Sequence, residues 1–310
     1  LAKEQGKSVG IVTSTTVVHA TPASFFAHVG SRHEEENIAS QVGSSHLDLL
    51  LGGGRKFFFP EGQGGQNRQD GRNLSYELEG MGWRIQRTKQ EMSPAPHGTK
   101  IIGLFSFDHI PYIFDQNDGQ KSRIPSLKEM SQYAIRHLSQ NPNGYFLLIE
   151  GGRIDHAAHS NLARKMIGEI IEFDDTVGEV KRMVNLGETL VLVTADHETG
   201  GLALNGFMDR QRHHKEILGN TTYQGSPNHS IISWASGPGY HSSDLVDTHV
   251  KDFVHKAALE QGNSAVHTAD DVLIFSDGNG SELFRGSMDN TDIFHKTASL
   301  LISARTIRPN

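Results

Sequence analysis

The chain has 310 residues and 36% apolar content, enough for a large core in about two domains or in one large α/β domain. A net charge of −7 argues against a nucleic-acid partner held on a basic face, and no apolar run is long enough to span a bilayer. Cysteine is absent, which excludes disulfides and thiolate metal sites, so any zinc must be held by carboxylates or by the 18 histidines.

Leu1 to Lys7 has no apolar signal region and reads as the end of a helix near Gly6, so the chain is expected to begin in mid-fold. Ser8 to Thr13 is a short apolar run of the buried-strand type. Thr21 before Pro22 reads as a cap followed by proline at the first helical position. This predicts a helix over Ala23–Val29 that delivers Arg32 from its far end. A second helix is predicted over His33–Val42 and a second strand over Leu47–Leu51, running into Gly52–Gly54. No Lys-Ser/Thr follows these glycines in phosphate-loop spacing, so they read as a plain tight turn. Glu61–Arg72 is a polar surface loop, Asn73–Met81 a short helix and Lys100–Phe105 a strand.

Ser126 and Glu129 form a capping box, and Leu127, Met130, Ala134 and Leu138 mark the buried face of a helix ending near Asn141. Tyr145–Ile149 is a continuous apolar run of the kind buried on both faces, and Glu150 closes it. Gly151 and Gly152 turn the chain into one long helical pattern, whose core face is Leu162, Met166, Ile170, Phe173, Val177 and Val180. Thr189–Thr194 is another buried strand, tipped by Asp196 and His197. Gly206–Ser230 is polar and reads as an insertion beside the site. Ile231–Ala235 returns to a strand, Asp247–Gln261 is helical, Val272–Phe275 is a last strand and Thr291–Leu301 a closing helix. The run Asp277–Glu282 lacks the sixth-position glycine of a calcium loop and reads as a turn. Strands alternating with helices predict a three-layer α/β/α fold with a mostly parallel central sheet. We expect a single domain over 1–310 with a surface insertion at about 202–266.

Asp155 and His159 lie four apart, on one face at the mouth of a helix. With Glu150, Asp196 and His197 they make five oxygen and nitrogen ligands at the carboxyl ends of two strands, where open α/β sheets gather ligands. That exceeds the need of one tetrahedral zinc. A two-metal site, which can clamp both oxygens of a phosphoryl transfer, is therefore expected.

These residues resemble the alkaline phosphatase family. The collinear matches are His19-Ala-Thr-Pro-Ala23, Ala27–Arg32, Leu51–Gly54, Glu150-Gly-Gly-Arg-Ile-Asp-His156, Thr194-Ala-Asp-His-Glu-Thr-Gly-Gly201 and His267-Thr268. The resemblance implies a first zinc on Asp155, His159 and His267, and a second zinc with Asp196 and His197 as ligands. It implies magnesium on Thr21 and Glu150, a phosphate grip by Arg32, and roles for His19 and His156 around the magnesium and the phosphate. His28, His33, His213 and His214 read as solvated or structural.

The family also carries, upstream of the His-Ala-Thr-Pro segment, a first strand ending in a metal-bridging Asp and a motif with the nucleophilic serine. Neither occurs between Leu1 and His19, and Ser8, Ser14, Thr15 and Thr16 do not fit that motif. The sequence is therefore expected to be the C-terminal portion of a longer phosphatase, lacking the first central strand of the sheet. The implied function is phosphomonoester hydrolysis through a phosphoserine intermediate in the complete enzyme. The alternative is a zinc- or phosphate-binding protein of the same fold without turnover, and a third reading is a relative acting on sulfate esters or phosphodiesters. By the same resemblance we expect a homodimer in the periplasm or outside the cell.

Overall fold

The computed structural model describes residues 1–66, 68–204, 220–223, 226–230, 232–241, 257–259 and 263–303. Its first half runs β1 (Ser8–Thr16), α1 (Ala20–Ala23), α2 (Glu35–Ser40), β2 (Leu49–Gly53), α3 (Leu74–Gly80), β3 (Trp83–Gln86), β4 (Lys100–Leu104), α4 (Asp118–Arg123), α5 (Leu127–Leu138) and β5 (Tyr145–Glu150). Then follow α6 (Arg153–His159), α7 (Ala163–Met183), β6 (Leu190–Thr194), β7 (Ala203–Leu204), β8 (Asn220–Tyr223), β9 (Ser226–Ser230), β10 (Ile232–Ser236), β11 (Ala257–Leu259), β12 (Ile274–Gly278) and α8 (Asn290–Ser303).

Five strands form one parallel sheet in the order β3-β4-β2-β1-β5. Both faces are covered, which is why its strands are apolar throughout rather than alternating. Ile11, Leu50, Ile102 and Leu104 point into one buried cluster with residues of α2 and α3. Val12, Leu49, Leu51 and Ile101 point into the other, beneath α5. The strand order reverses at β1, so the crevice at the carboxyl ends of β1 and β5 is where a ligand is expected.

β6 pairs antiparallel with β12 and does not join this sheet. No ladder joins β5 and β6, the two strands whose tips carry the expected ligands. A cavity of about 2650 Å³ is instead lined by every residue of both strands, by Ile170, Phe173, Val177 and Val180 of α7, and by α8. The apolar stripe predicted for α7 is therefore real but incompletely covered, and Ile170 is exposed.

Several local expectations need correction. The helix at Thr21 spans only Ala20–Ala23 and is capped by His19 in an extended conformation. Pro22 is its third residue, still among the first four positions whose N–H has no intrahelical partner. Arg32 thus follows irregular chain rather than a helix end. The triple glycine is no plain turn, because Gly52 and Gly53 belong to β2. A Cβ on Gly53 would lie 2.1 Å from the carbonyl oxygen of Asp108, so the backbones meet where no side chain fits. The strand Trp83–Gln86 was not anticipated. Ala257–Leu259 is a strand where helix was expected, and the rest of that predicted helix lies outside the described residues, as does most of the Gly206–Ser230 insertion.

The single helix predicted after Glu150 is two helices. Asn161 breaks it in a left-handed conformation (φ 53°), which Asn tolerates better than most residues. Its buried amide donates to the Ser236 carbonyl at 3.0 Å and accepts from the Gly239 N–H at 3.1 Å. The side chain thereby ties the end of α6 to β10.

Candidate metal centre and anion cleft

Glu150 ends β5 beside the end of β1, paired with Thr13. Thr13 and Thr15 alternate on β1, so both hydroxyls reach the Glu150 carboxylate, the second at 3.3 Å. Thr21 also donates a hydrogen bond to it. Burial pushes this carboxyl up, and the three hydroxyls oppose that shift. An acidic oxygen ringed by hydroxyl oxygens suits a hard divalent cation such as magnesium.

α6 carries Asp155 and His159 one turn apart, as the spacing required. His159 Nε2 lies 3.3 Å from Asp155 Oδ1, and His267 Nε2 lies 3.1 Å from His159 Nε2 and 3.7 Å from Asp155 Oδ1. The three form the one group of potential ligands found this close together among the described residues. A tetrahedral zinc with bonds of about 2.0–2.1 Å separates its ligand atoms by roughly 3.3 Å, so these spacings fit the ion. The main chain sets them. Ala265 donates its N–H to the His159 carbonyl at 2.8 Å and accepts from His159 Nδ1 at 2.7 Å, which turns Nε2 toward Asp155 and His267.

Asp155 is partly buried, which by itself raises its pKa, but hydrogen bonds from His159 and Thr199 hold the carboxyl well below the usual range. The same bond to Asp155 raises His159. His267 is pushed down by burial and by His197, whose ring stacks on it with centroids 3.4 Å apart. Asp196 lies 3.2 Å from His197 Nε2. Among the described residues no third carboxylate or imidazole completes a second compact cluster with this pair.

Across the cleft, Arg32 Nη2 is 3.3 Å from His19 Nε2, and His156 Nε2 is 3.3 Å from the same atom. Burial, then Arg32, lowers His19 to about 4; burial, then His109 and Arg153, lowers His156 to about 3. Both rings are therefore neutral at physiological pH. Arg32 is exposed, with donors free to meet an incoming anion.

Sequence reasoning missed Thr13 and Thr15, although their alternation on a strand ending beside Glu150 was a usable signal. It also missed His109, whose ring packs edge-on to His19 and His156 and whose Nδ1 accepts from the Thr16 N–H at 3.0 Å. Nothing in the sequence links position 109 to position 19. His28 and His33 are exposed, as expected, and His213 and His214 lie outside the described residues.

A family model for alkaline phosphatase matches residues 1–302. The chain is 33% identical to the alkaline phosphatase of Gadus morhua over 96% of its own length and 69% of that protein's. It is 30% identical to alkaline phosphatase 4 of Bacillus subtilis, covering 94% of this chain and 67% of that one. The chain belongs to the alkaline phosphatase family. A solved structure of TAB5 alkaline phosphatase, a mutant with magnesium bound in its M3 site, superposes with a TM-score of 0.71 at 26% identity, covering 97% of this chain and 74% of that one. The α/β architecture with its parallel central sheet is thus that of the alkaline phosphatases.

Proposed function

We propose that the protein hydrolyses phosphate monoesters with the help of metal ions held at the carboxyl ends of β5 and β6. The observation that carries this is the Asp155–His159–His267 triangle, whose ligand atoms stand at zinc spacing in the cleft that Arg32 enters. Asp155, His159 and His267 would hold one zinc, Asp196 and His197 would be ligands of a second, and Thr21 and Glu150 would hold magnesium. When bound, such ions supply Lewis acidity at the phosphoryl and leaving oxygens.

The chain's own residues do the rest. Arg32 offers a planar fork of donors to two phosphate oxygens. His19, neutral beside it, adds no competing charge and orients the guanidinium through Nε2. His156 turns a second imidazole edge to the same corner. Thr13 and Thr15 hold the Glu150 carboxylate in place.

The reading extends to a single domain over 1–310 with an insertion near 202–266, a homodimer, and a location in the periplasm or outside the cell. No helix among the described residues is long and apolar enough to cross a membrane. A phosphoserine route needs a serine nucleophile. Ser8, Ser14, Thr15 and Thr16 are all buried in β1, and the Ser14 oxygen is occupied by the Arg153 N–H. This favours a second reading, in which these residues alone bind zinc and phosphate without turnover.

The test is to load the protein with zinc and magnesium and compare a chromogenic phosphate monoester with a diester and a sulfate ester. Monoester turnover that is abolished by D155A supports the proposal. Stoichiometric zinc and phosphate binding without turnover moves the second reading to first place. Failure to bind zinc at all overturns both.

A further inference from the structure

Arg153 has no place in the ligand sets above, yet its guanidinium contacts His156, a residue that lines the same cleft. It lies 3.8 Å over the Tyr112 ring, and its Nη1 is 2.8 Å from His156 Nδ1. Its backbone N–H is bound to Ser14 Oγ at 3.2 Å, which fixes the start of α6 against β1. A guanidinium carries donors only, so His156 Nδ1 must be the acceptor, with a lone pair there and the ring proton on Nε2. That Nε2–H faces His19 Nε2 at 3.3 Å. His19 Nε2 also faces a guanidinium, that of Arg32, and by the same reasoning is an acceptor. The proton of His19 is then on Nδ1, a buried atom that has no hydrogen-bond partner. The two arginines thus set opposite tautomers on two touching imidazoles, one presenting N–H and the other a lone pair.

We propose that Arg153 is a positioning residue that locks His156 in the Nε2–H tautomer, so that this N–H is turned as a donor toward an anionic oxygen bound beside Arg32. The proposal rests on the phosphate-cleft reading for the identity of the anion, but the tautomer follows from the geometry alone. Without the Arg153 donor at Nδ1, either ring nitrogen could carry the proton and half of the orientation would be lost. His109, packed on the other side of the ring at 4.6 Å between centroids, faces His156 edge-on and offers it no competing carboxylate. Tyr112 is the platform on which Arg153 rests.

The experiment reads the tautomer by long-range nitrogen–proton NMR of metal-free protein labelled at histidine, at pH 8. It also reads inorganic phosphate binding to zinc-loaded protein by calorimetry. His156 is expected as Nε2–H in the wild type and in Arg153→Lys, which keeps a donor, and as a mixture in Arg153→Met. Phosphate affinity is expected to fall roughly tenfold or more in Arg153→Met and to be largely restored in Arg153→Lys, with zinc affinity unchanged in both. A His156 ring protonated on Nδ1 in the wild type overturns the proposal without any variant, so it stays testable even if Arg153→Met does not fold. Wild-type phosphate affinity in a folded Arg153→Met also overturns it, and would leave Arg153 as a structural pin on Tyr112. A wild type that binds no phosphate defeats the cleft reading and removes the anion from the proposal, while the tautomer measurement still decides whether Arg153 orients the ring.

Discussion

The hydroxyl of Thr199 donates to Asp155 Oδ1 at 2.6 Å, joining the segment after β6 to a proposed metal ligand on α6. It also faces His197 Nδ1 at 3.3 Å, so one hydroxyl touches both proposed zinc sites. Partners of this kind orient ligands and raise metal affinity about 10–100-fold. Thr199→Ala is therefore expected to weaken zinc binding by that factor, and Thr199→Ser to preserve it. Competition titration with a chelator measures this; equal affinity in all three proteins would show that α6 alone aims Asp155.

Glu169 is a buried carboxyl on α7 whose Oε1 accepts the Ile113 N–H at 2.7 Å. Burial raises it to about 7 from the ordinary 4.5, against the opposing hydrogen bond from Ile113. The folded state thus holds a proton that the unfolded state releases, so the stability this group contributes is full below pH 4.5 and is lost as pH rises through 7. Glu169→Gln keeps the acceptor and removes the titration. It is expected to match the wild type near pH 4 and to exceed it by up to about 3 kcal/mol at pH 8.5. Urea melts at the two pH values settle the point.

Gly53 leaves no room for a methyl group against the Asp108 carbonyl. Gly53→Ala should lower stability by about 1–3 kcal/mol or more, because backbone rather than a flexible side chain must move. An unchanged denaturation midpoint would mean that residues 108–109 yield freely.

The facing edges of β5 and β6 carry backbone groups that no strand pairs among the described residues. Amides of β5 that face away from β1 should exchange hydrogen much faster than those of β2, which is flanked by β1 and β4. Equal protection would show that the edge is covered in solution.

The elements that were legible in the sequence are those with a local cause. The Ser126–Glu129 capping box starts α5 where expected, and the apolar run Tyr145–Ile149 closed by Glu150 is β5. Asp155 and His159 share a face because four residues make about one helical turn. The misreadings have non-local causes. Gly52 and Gly53 look like a turn because small residues usually mark one, yet here they admit a neighbouring backbone. Asn161 looks like an ordinary helix residue until Ser236 and Gly239, far along the chain, satisfy its amide. His109 and Arg153 join the cleft only through tertiary packing.

The two hydrogen bonds between Ala265 and His159, one between main chains and one from the imidazole Nδ1, have a thermodynamic consequence for metal loading. They hold His159 in place before any ion arrives, and His267 follows only two residues after the clasp. Little conformational entropy then remains to be lost when an ion enters. A ready-made triangle with sides of 3.1–3.7 Å also discriminates by ionic size. Calcium, with bonds of about 2.3–2.6 Å and a preference for six to eight oxygens, would have to spread the clasp apart, whereas a small tetrahedral ion settles into it unaltered.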